Sequence, residues 1–430
     1  MVWVRILRLG LVQMSLGSLV VLTTATLNRV MVVELALPAL LPGLLVSRYY
    51  GTQFLRPRFG HGADQGGKRA PWILGGVAVL SVGTLLAAHS VGVMAESLTQ
   101  GLMVAVPAFV LIGLGIGAAG TNVLALLSAI VPERRQAAAG STVWIMMIFG
   151  LAVTGISAGK LLDPFTQERL MQVATGIAAI ALTLSILGTL GQDRHVTRRA
   201  PERKLATRAL LKELWQDSRV RAFTVFVFAS MLAYNLQDLI LEPFGGHVFG
   251  LTVGESTALG GQLHAGALIG MLIVLIGTTA LDRFVRIALR TWVVGGCLVS
   301  GSALVALSFG AHMPAVWPLA ANVFVLGLAN GVFAVAAIGA MLEIARDGSE
   351  PREGARMGIF GAAQAIAFGV GSFLGTAAVD LMRLITTHLP TVYSSVFMAE
   401  GLIFLIATLL ATKLTFTNRA APGRAVVPGE

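Results

Sequence analysis

Two short passages carry ionisable groups where apolar sequence is long enough to cross a bilayer. The first, Leu27–Asn28–Arg29–Val30–Met31–Val32–Val33–Glu34, lies near the start of the chain. The second, Asn235–Leu236–Gln237–Asp238–Leu239–Ile240–Leu241–Glu242–Pro243, lies just past the middle. Charge at membrane depth is expensive, so such groups are read first as functional. Asp238 and Glu242 stand four apart, which on a continuous helix puts both carboxylates on one face. Two carboxylates so close repel unless one holds a proton or a cation lies nearby. Arg29 is the leading cation, and the spacing predicts an Arg29 contact with Asp238 or Glu242. That contact would serve as a static clamp or as a moving gate, with Asn28 and Gln237 beside it. Of the other in-membrane charges, Arg48 either pairs with Glu34 or extends to an interface beside Tyr49 and Tyr50.

The elements that position these residues follow from composition. Hydrophobic residues make up 56% of the 430 and charged residues only 12%, the balance of a polytopic membrane protein rather than a soluble domain. The 50 glycines fit transmembrane helices, which use small residues for close backbone approach. The apolar runs are continuous, so they read as helices and not as the alternating strands of a barrel. A helix needs roughly 20 residues to cross a 30 Å hydrocarbon core. Twelve spans are predicted, near residues 9–33, 38–56, 72–90, 102–130, 140–160, 170–191, 220–242, 257–281, 287–309, 315–344, 357–378 and 391–413. Arg5 and Arg8 precede an apolar stretch without an early small-residue cleavage site, so it reads as a first span and not a signal peptide.

Lysine and arginine alternate from loop to loop. Arg56, Arg58, Lys68 and Arg69, then Arg134 and Arg135, the basic segment 192–218, and Arg283, Arg286 and Arg290 share a side with both termini. The positive-inside rule makes that side cytoplasmic, with Lys160, Arg169 and Arg383 as the few exceptions on the other. The formal net charge of +10 is therefore topology rather than a nucleic-acid patch.

The basic linker 192–218 divides the chain into a six-helix half, 1–191, and a second six-helix half, 219–414, followed by a tail, 415–430. Placing Glu34 on Glu242 aligns Val33 with Leu241 and Met31 with Leu239, so the two charged passages become corresponding ends of spans one and seven. Paired discontinuities in two six-helix halves resemble transporters of the major facilitator type. The loop between spans two and three adds to the likeness. Gly60, Asp64, Gly67, Lys68 and Arg69 keep the places of that superfamily's loop signature, and Gln65 stands where a basic residue is usual.

Taken whole, the first passage with Pro38, the second passage continuing through Phe249–Gly250–Leu251–Thr252–Val253–Gly254–Glu255, and Lys68–Arg69–Ala70–Pro71–Trp72 resemble the PucC/LhaA family. That family is the bacteriochlorophyll delivery branch of the major facilitator superfamily, and the resemblance covers nearly the whole chain. It implies an assembly factor for the light-harvesting complexes of purple phototrophic bacteria, chaperoning antenna polypeptides, delivering bacteriochlorophyll, or both. Antenna polypeptides, the reaction-centre core complex, pigment-synthesis enzymes and membrane lipid are the partners it implies, in the bacterial inner (intracytoplasmic) membrane. Bacteriochlorophyll would be cargo rather than resident cofactor. His264, inside span eight, is the candidate ligand for a chlorin magnesium, although a lone histidine among apolar residues is more often bonded within the protein. The single Cys297 offers neither disulfide nor metal cluster, and no catalytic constellation or phosphate-binding loop is present, so enzyme activity is not expected. The competing reading is proton-coupled transport of an amphipathic small molecule, with Glu34, Asp238 or Glu242 titrating.

Overall fold

A computed structural model describes residues 2–56, 58–59, 68–192, 215–279, 287–346 and 353–413. Among these, the regular structure is all helical. The first six helices are α1 (Val2–Glu34), α2 (Leu40–Gly51), α3 (Ala70–Glu96), α4 (Leu98–Ile130), α5 (Glu133–Leu162) and α6 (Gln167–Thr189). They are followed by α7 (Ser218–Leu239), α8 (Leu241–Phe249), α9 (Val253–Thr279), α10 (Leu289–Gly310), α11 (Leu319–Arg346), α12 (Glu353–Ile385) and α13 (Leu389–Lys413). Eleven of the described helices are long and apolar enough to cross a membrane. This is a multi-pass membrane protein.

The second span, expected over 38–56, is formed by α2 and the 3-10 turn Thr52–Leu55 that continues it. One expectation needs correction: the seventh span does not run unbroken through 242. Its α-helix ends at Leu236, Gln237–Leu239 tightens into a 3-10 turn, and a new helix starts at Leu241. Asp238 therefore lies in the 3-10 turn and Glu242 in the first turn of the helix that follows it.

Helices α1 to α6 pack around one apolar core, with Leu9, Val77, Ile112 and Leu126 fully buried. The later helices surround a second core that is more aromatic. There Phe226, Phe333 and Phe404 join α7, α11 and α13 edge to face, at centroid separations of 6.3 and 6.1 Å. The cores exchange residues at one end: Leu239 and Val253 lie in the first, Val32 and Ala39 in the second.

The two groups of helices meet chiefly where α5 crosses α9 and α2 lies along α12. Small residues make the first crossing possible. A Cβ on Gly155 would stand 2.7 Å from the Cα of Gly261, and one on Gly159 would stand 2.5 Å from the carbonyl oxygen of Gly254. In lipid, where burial of apolar surface does not drive helices together, such close backbone approach is a principal source of association.

Arg5 and Arg8 do more than mark a side of the membrane. Arg5 donates to the side chain of Gln192 at 3.0 Å, and Arg8 donates to the carbonyls of Leu187 and Leu190 at 2.7 and 2.5 Å. They place positive charge on the carbonyl end of α6, where helix dipole and unpaired acceptors favour it. Gly60, Asp64 and Gly67 of the loop signature lie outside the described residues, as do 193–214 of the basic linker and the tail. Lys68 is exposed and Arg69 half-buried immediately before α3.

Candidate functional site: a polar seal between the two halves

The distal end of α1, away from the chain termini, departs from regular geometry. Wider π-type turns occupy Leu22–Thr26 and Val30–Glu34, with one ordinary turn, Leu27–Arg29, between them. Such turns interrupt the usual hydrogen-bond ladder and recur at functional sites. Here they carry Thr26, Asn28 and Arg29 into the second group of helices. The amide nitrogen of Asn28, a fully buried side chain, donates to the carbonyl of Leu239 at 2.7 Å. Thr26 and Thr257 share a hydroxyl contact of 3.2 Å.

Arg29 is the centre of the arrangement, and only 3% of it is exposed. It pairs with Glu34 at 2.5 Å. It also donates to the carbonyl of Leu251 at 2.7 Å and to the hydroxyl of Ser256 at 3.3 Å. The last two acceptors exist because of a turn. Gly250, in the left-handed region at φ 69°, ends α8 and sends the chain back toward α9. Room for the guanidinium comes from Gly246, where a Cβ would stand 3.0 Å from Arg29. A hydrogen bond to a charged group is worth about 1.5–3 kcal/mol, against roughly 0.6 kcal/mol for an average side-chain bond within a membrane. Arg29 therefore outweighs Asn28 and Thr26 as a tie between the halves.

Two acidic residues that the sequence reading passed over complete the seal. Asp163, after α5, accepts from the Thr252 hydroxyl at 2.8 Å and from the Gly254 backbone at 3.2 Å. Asp380, near the end of α12, accepts from the backbone N–H groups of Ala39 and Leu40 at 3.0 and 2.7 Å. Asp380 thus caps the first turn of α2 from the other half, satisfying donors that no residue of α2 itself satisfies and meeting the positive end of its dipole. All these bonds gather at the end of the bundle opposite the chain termini.

The expected contact of Arg29 with Asp238 or Glu242 is not the one formed. Arg29 spends its donors on Glu34, Leu251 and Ser256, because the π turn at Val30–Glu34 folds Glu34 back beside it. Asp238 is half-buried. Glu242 is 2% exposed and lies over Gly260, whose missing Cβ leaves it room, and neither of its oxygens has a hydrogen-bond partner. Gln237 is also buried, with its Oε1 unpartnered. A further carboxyl, Glu400 on α13, is 1% exposed with both oxygens unpartnered. Arg48 is exposed and makes no ion pair with Glu34. His264 is half-buried on α9, and among the described residues no group of three or more His, Cys, Asp or Glu side chains could hold a metal ion.

The arrangement can hold one end of the bundle shut with charge and backbone bonds that water or a ligand would have to replace. Comparison with known proteins places it. The fold matches that of a bacterial homologue of the human lysosomal transporter Spinster, inward-facing and occupied. The TM-score is 0.70 at 15% identity, over 97% of this chain and 98% of that one. The nucleoside transporter NupG matches with a TM-score of 0.62 at 14% identity, over 95% and 99%. These likenesses show the fold, that of the major facilitator transporters.

Sequence relatives are closer. The chain is 46% identical over 430 residues to the "Bacteriochlorophyll synthase 44.5 kDa chain" of Rhodobacter capsulatus, covering 100% of this chain and 99% of the relative. It is 30% identical to "Protein PucC" of the same organism, over 95% and 92%. A family model described as "PUCC protein" matches residues 26–419, a range that takes in both charged passages and every residue of the seal. The chain belongs to the PUCC family.

Proposed function

We propose that the chain is an assembly factor for the light-harvesting complexes of purple phototrophic bacteria, chaperoning antenna polypeptides, delivering bacteriochlorophyll, or both. The observation that carries this reading is the match to the PUCC family over residues 26–419 and, over the whole chain, to a relative named for bacteriochlorophyll synthesis. The seal supports it, because Arg29, Asp163 and Asp380 are engaged in joining the halves rather than lining a path. The chain would act in the inner (intracytoplasmic) membrane with both termini cytoplasmic, as the loop charges suggest. Its partners would be antenna polypeptides, the reaction-centre core complex and enzymes of pigment synthesis. We read it as a pigment-handling accessory and not an enzyme, since its sequence offers no catalytic constellation.

Affinity purification from phototrophic cells in mild detergent tests this. Co-elution of antenna polypeptides or bacteriochlorophyll supports the proposal, and conversion of a pigment precursor by the purified chain alone would overturn the non-enzymatic part. A second reading, proton-coupled transport, draws on Glu242 and Glu400, buried acids without partners in a transporter fold. Substrate-dependent proton flux in vesicles, without a stable protein or pigment partner, would favour it over assembly.

A further inference from the structure

Lys160 and Arg169 break the loop-charge pattern, and the structure puts them at one place. A groove of about 720 Å³ runs between α1, α5 and α6 on the outer wall of the first half, and both cations line it at the end away from the chain termini. Its walls are apolar and open to lipid: Phe149, Val153, Leu161 and Ile180 are 45%, 44%, 60% and 60% exposed. From Lys160 back to Phe149 is eleven residues of α5, about 16 Å of helix, or close to one leaflet of a 30 Å core.

Lys160 and Arg169 outnumber the one acid that lines the groove, Asp163, so the rim keeps a net positive charge. Among the described residues, neither Lys160 nor Arg169 has a carboxylate within ion-pair distance. Asp163, on the same rim, spends both oxygens on Thr252 and Gly254. Glu168, next to Arg169, accepts from Gln172 at 3.2 Å. Arg169 gives one nitrogen to the Pro164 carbonyl at 3.0 Å. The third exception to the charge pattern, Arg383, is placed differently, against His247 on α8. Two cations from different helices thus converge above a leaflet-deep apolar trough.

We propose that this groove is a binding site for one anionic glycerophospholipid of the leaflet opposite the chain termini, with its phosphate at Lys160 and Arg169 and an acyl chain along α5. The site adjoins the inter-half seal at Asp163 and does not depend on the assembly role.

Native mass spectrometry of the full chain, titrated with phosphatidylglycerol against phosphatidylcholine, tests it. Each basic residue near a charged headgroup contributes on the order of 1 kcal/mol, so the two together should make phosphatidylglycerol retained about thirtyfold more strongly than phosphatidylcholine. Lys160→Gln with Arg169→Gln should bring that ratio close to one. Val153→Trp, which fills the trough and leaves the cations, should weaken retention of both lipids, and its melting temperature shows whether it is folded. A photo-crosslinker at Ile180 should capture lipid. Equal retention of the two lipids by the parent, a preference that survives both variants, or a polypeptide captured at Ile180 overturns the proposal.

Discussion

The ends of α1 and of α7 correspond in the internal repeat and carry similar residues, yet they are used in opposite ways. In α1 the cation and the acid meet. Arg29 and Glu34 pair, and because Glu34 is 43% exposed it can reach solvent while Arg29 stays buried. In the corresponding passage no cation is present, and Glu242 is enclosed without a partner. One end can therefore act on its neighbours through charge, while the other receives. It supplies backbone acceptors, Leu239 and Leu251, through the breaks at Gln237–Leu239 and Gly250. A repeat conserves position more readily than role, because the hydrogen-bond demand of one half is met by the other.

The comparison breaks most severely where the halves touch backbone to backbone. Gly155→Leu should drive a side chain into Gly261, destabilise by about 3 kcal/mol or more, and appear as a large loss of folded protein in detergent by size-exclusion chromatography. Arg29→Met keeps much of the volume but removes the ion pair and two donors to the second half. It should destabilise by about 2–3 kcal/mol, seen as a lower melting temperature by scanning fluorimetry. Asp380→Asn retains one acceptor oxygen and loses the charge on the α2 dipole, for roughly 1 kcal/mol in the same assay. Glu400→Gln should have the smallest effect, within about 0.5 kcal/mol, because no ion pair is lost and the amide keeps an acceptor oxygen. A Glu400→Gln loss as large as that of Arg29→Met would show that the unpartnered acids also hold the fold.

Much of the architecture was legible because bilayer thickness dictates length and apolar runs announce it. Asn28 and Arg29 were legible as links between halves for a related reason, since buried polar groups in a membrane must find partners. Their partners were not legible. Leu239 and Leu251 contribute carbonyls, and Ala39 and Leu40 contribute N–H groups, none of which marks its residue type. The break after Leu236 has no proline or glycine between 237 and 240 to signal it. Tertiary packing against α1 and α12 decides it. Asp163 could have been noticed as an acid beside Pro164 at the end of a span. Asp380 and Glu400 could have been noticed as lone acids in otherwise apolar runs.

The central claim is that these residues hold the end of the bundle opposite the termini closed. Double electron–electron resonance between spin labels at Gln100, at the start of α4, and Thr387, between α12 and α13, reads that closure directly. Both positions are exposed, and the buried Cys297 would first be changed to serine. The parent should give one narrow distance distribution, and the Arg29→Met, Asp163→Asn, Asp380→Asn triple variant a broader one shifted to longer distances. A distribution unchanged in the folded triple variant would contradict the seal.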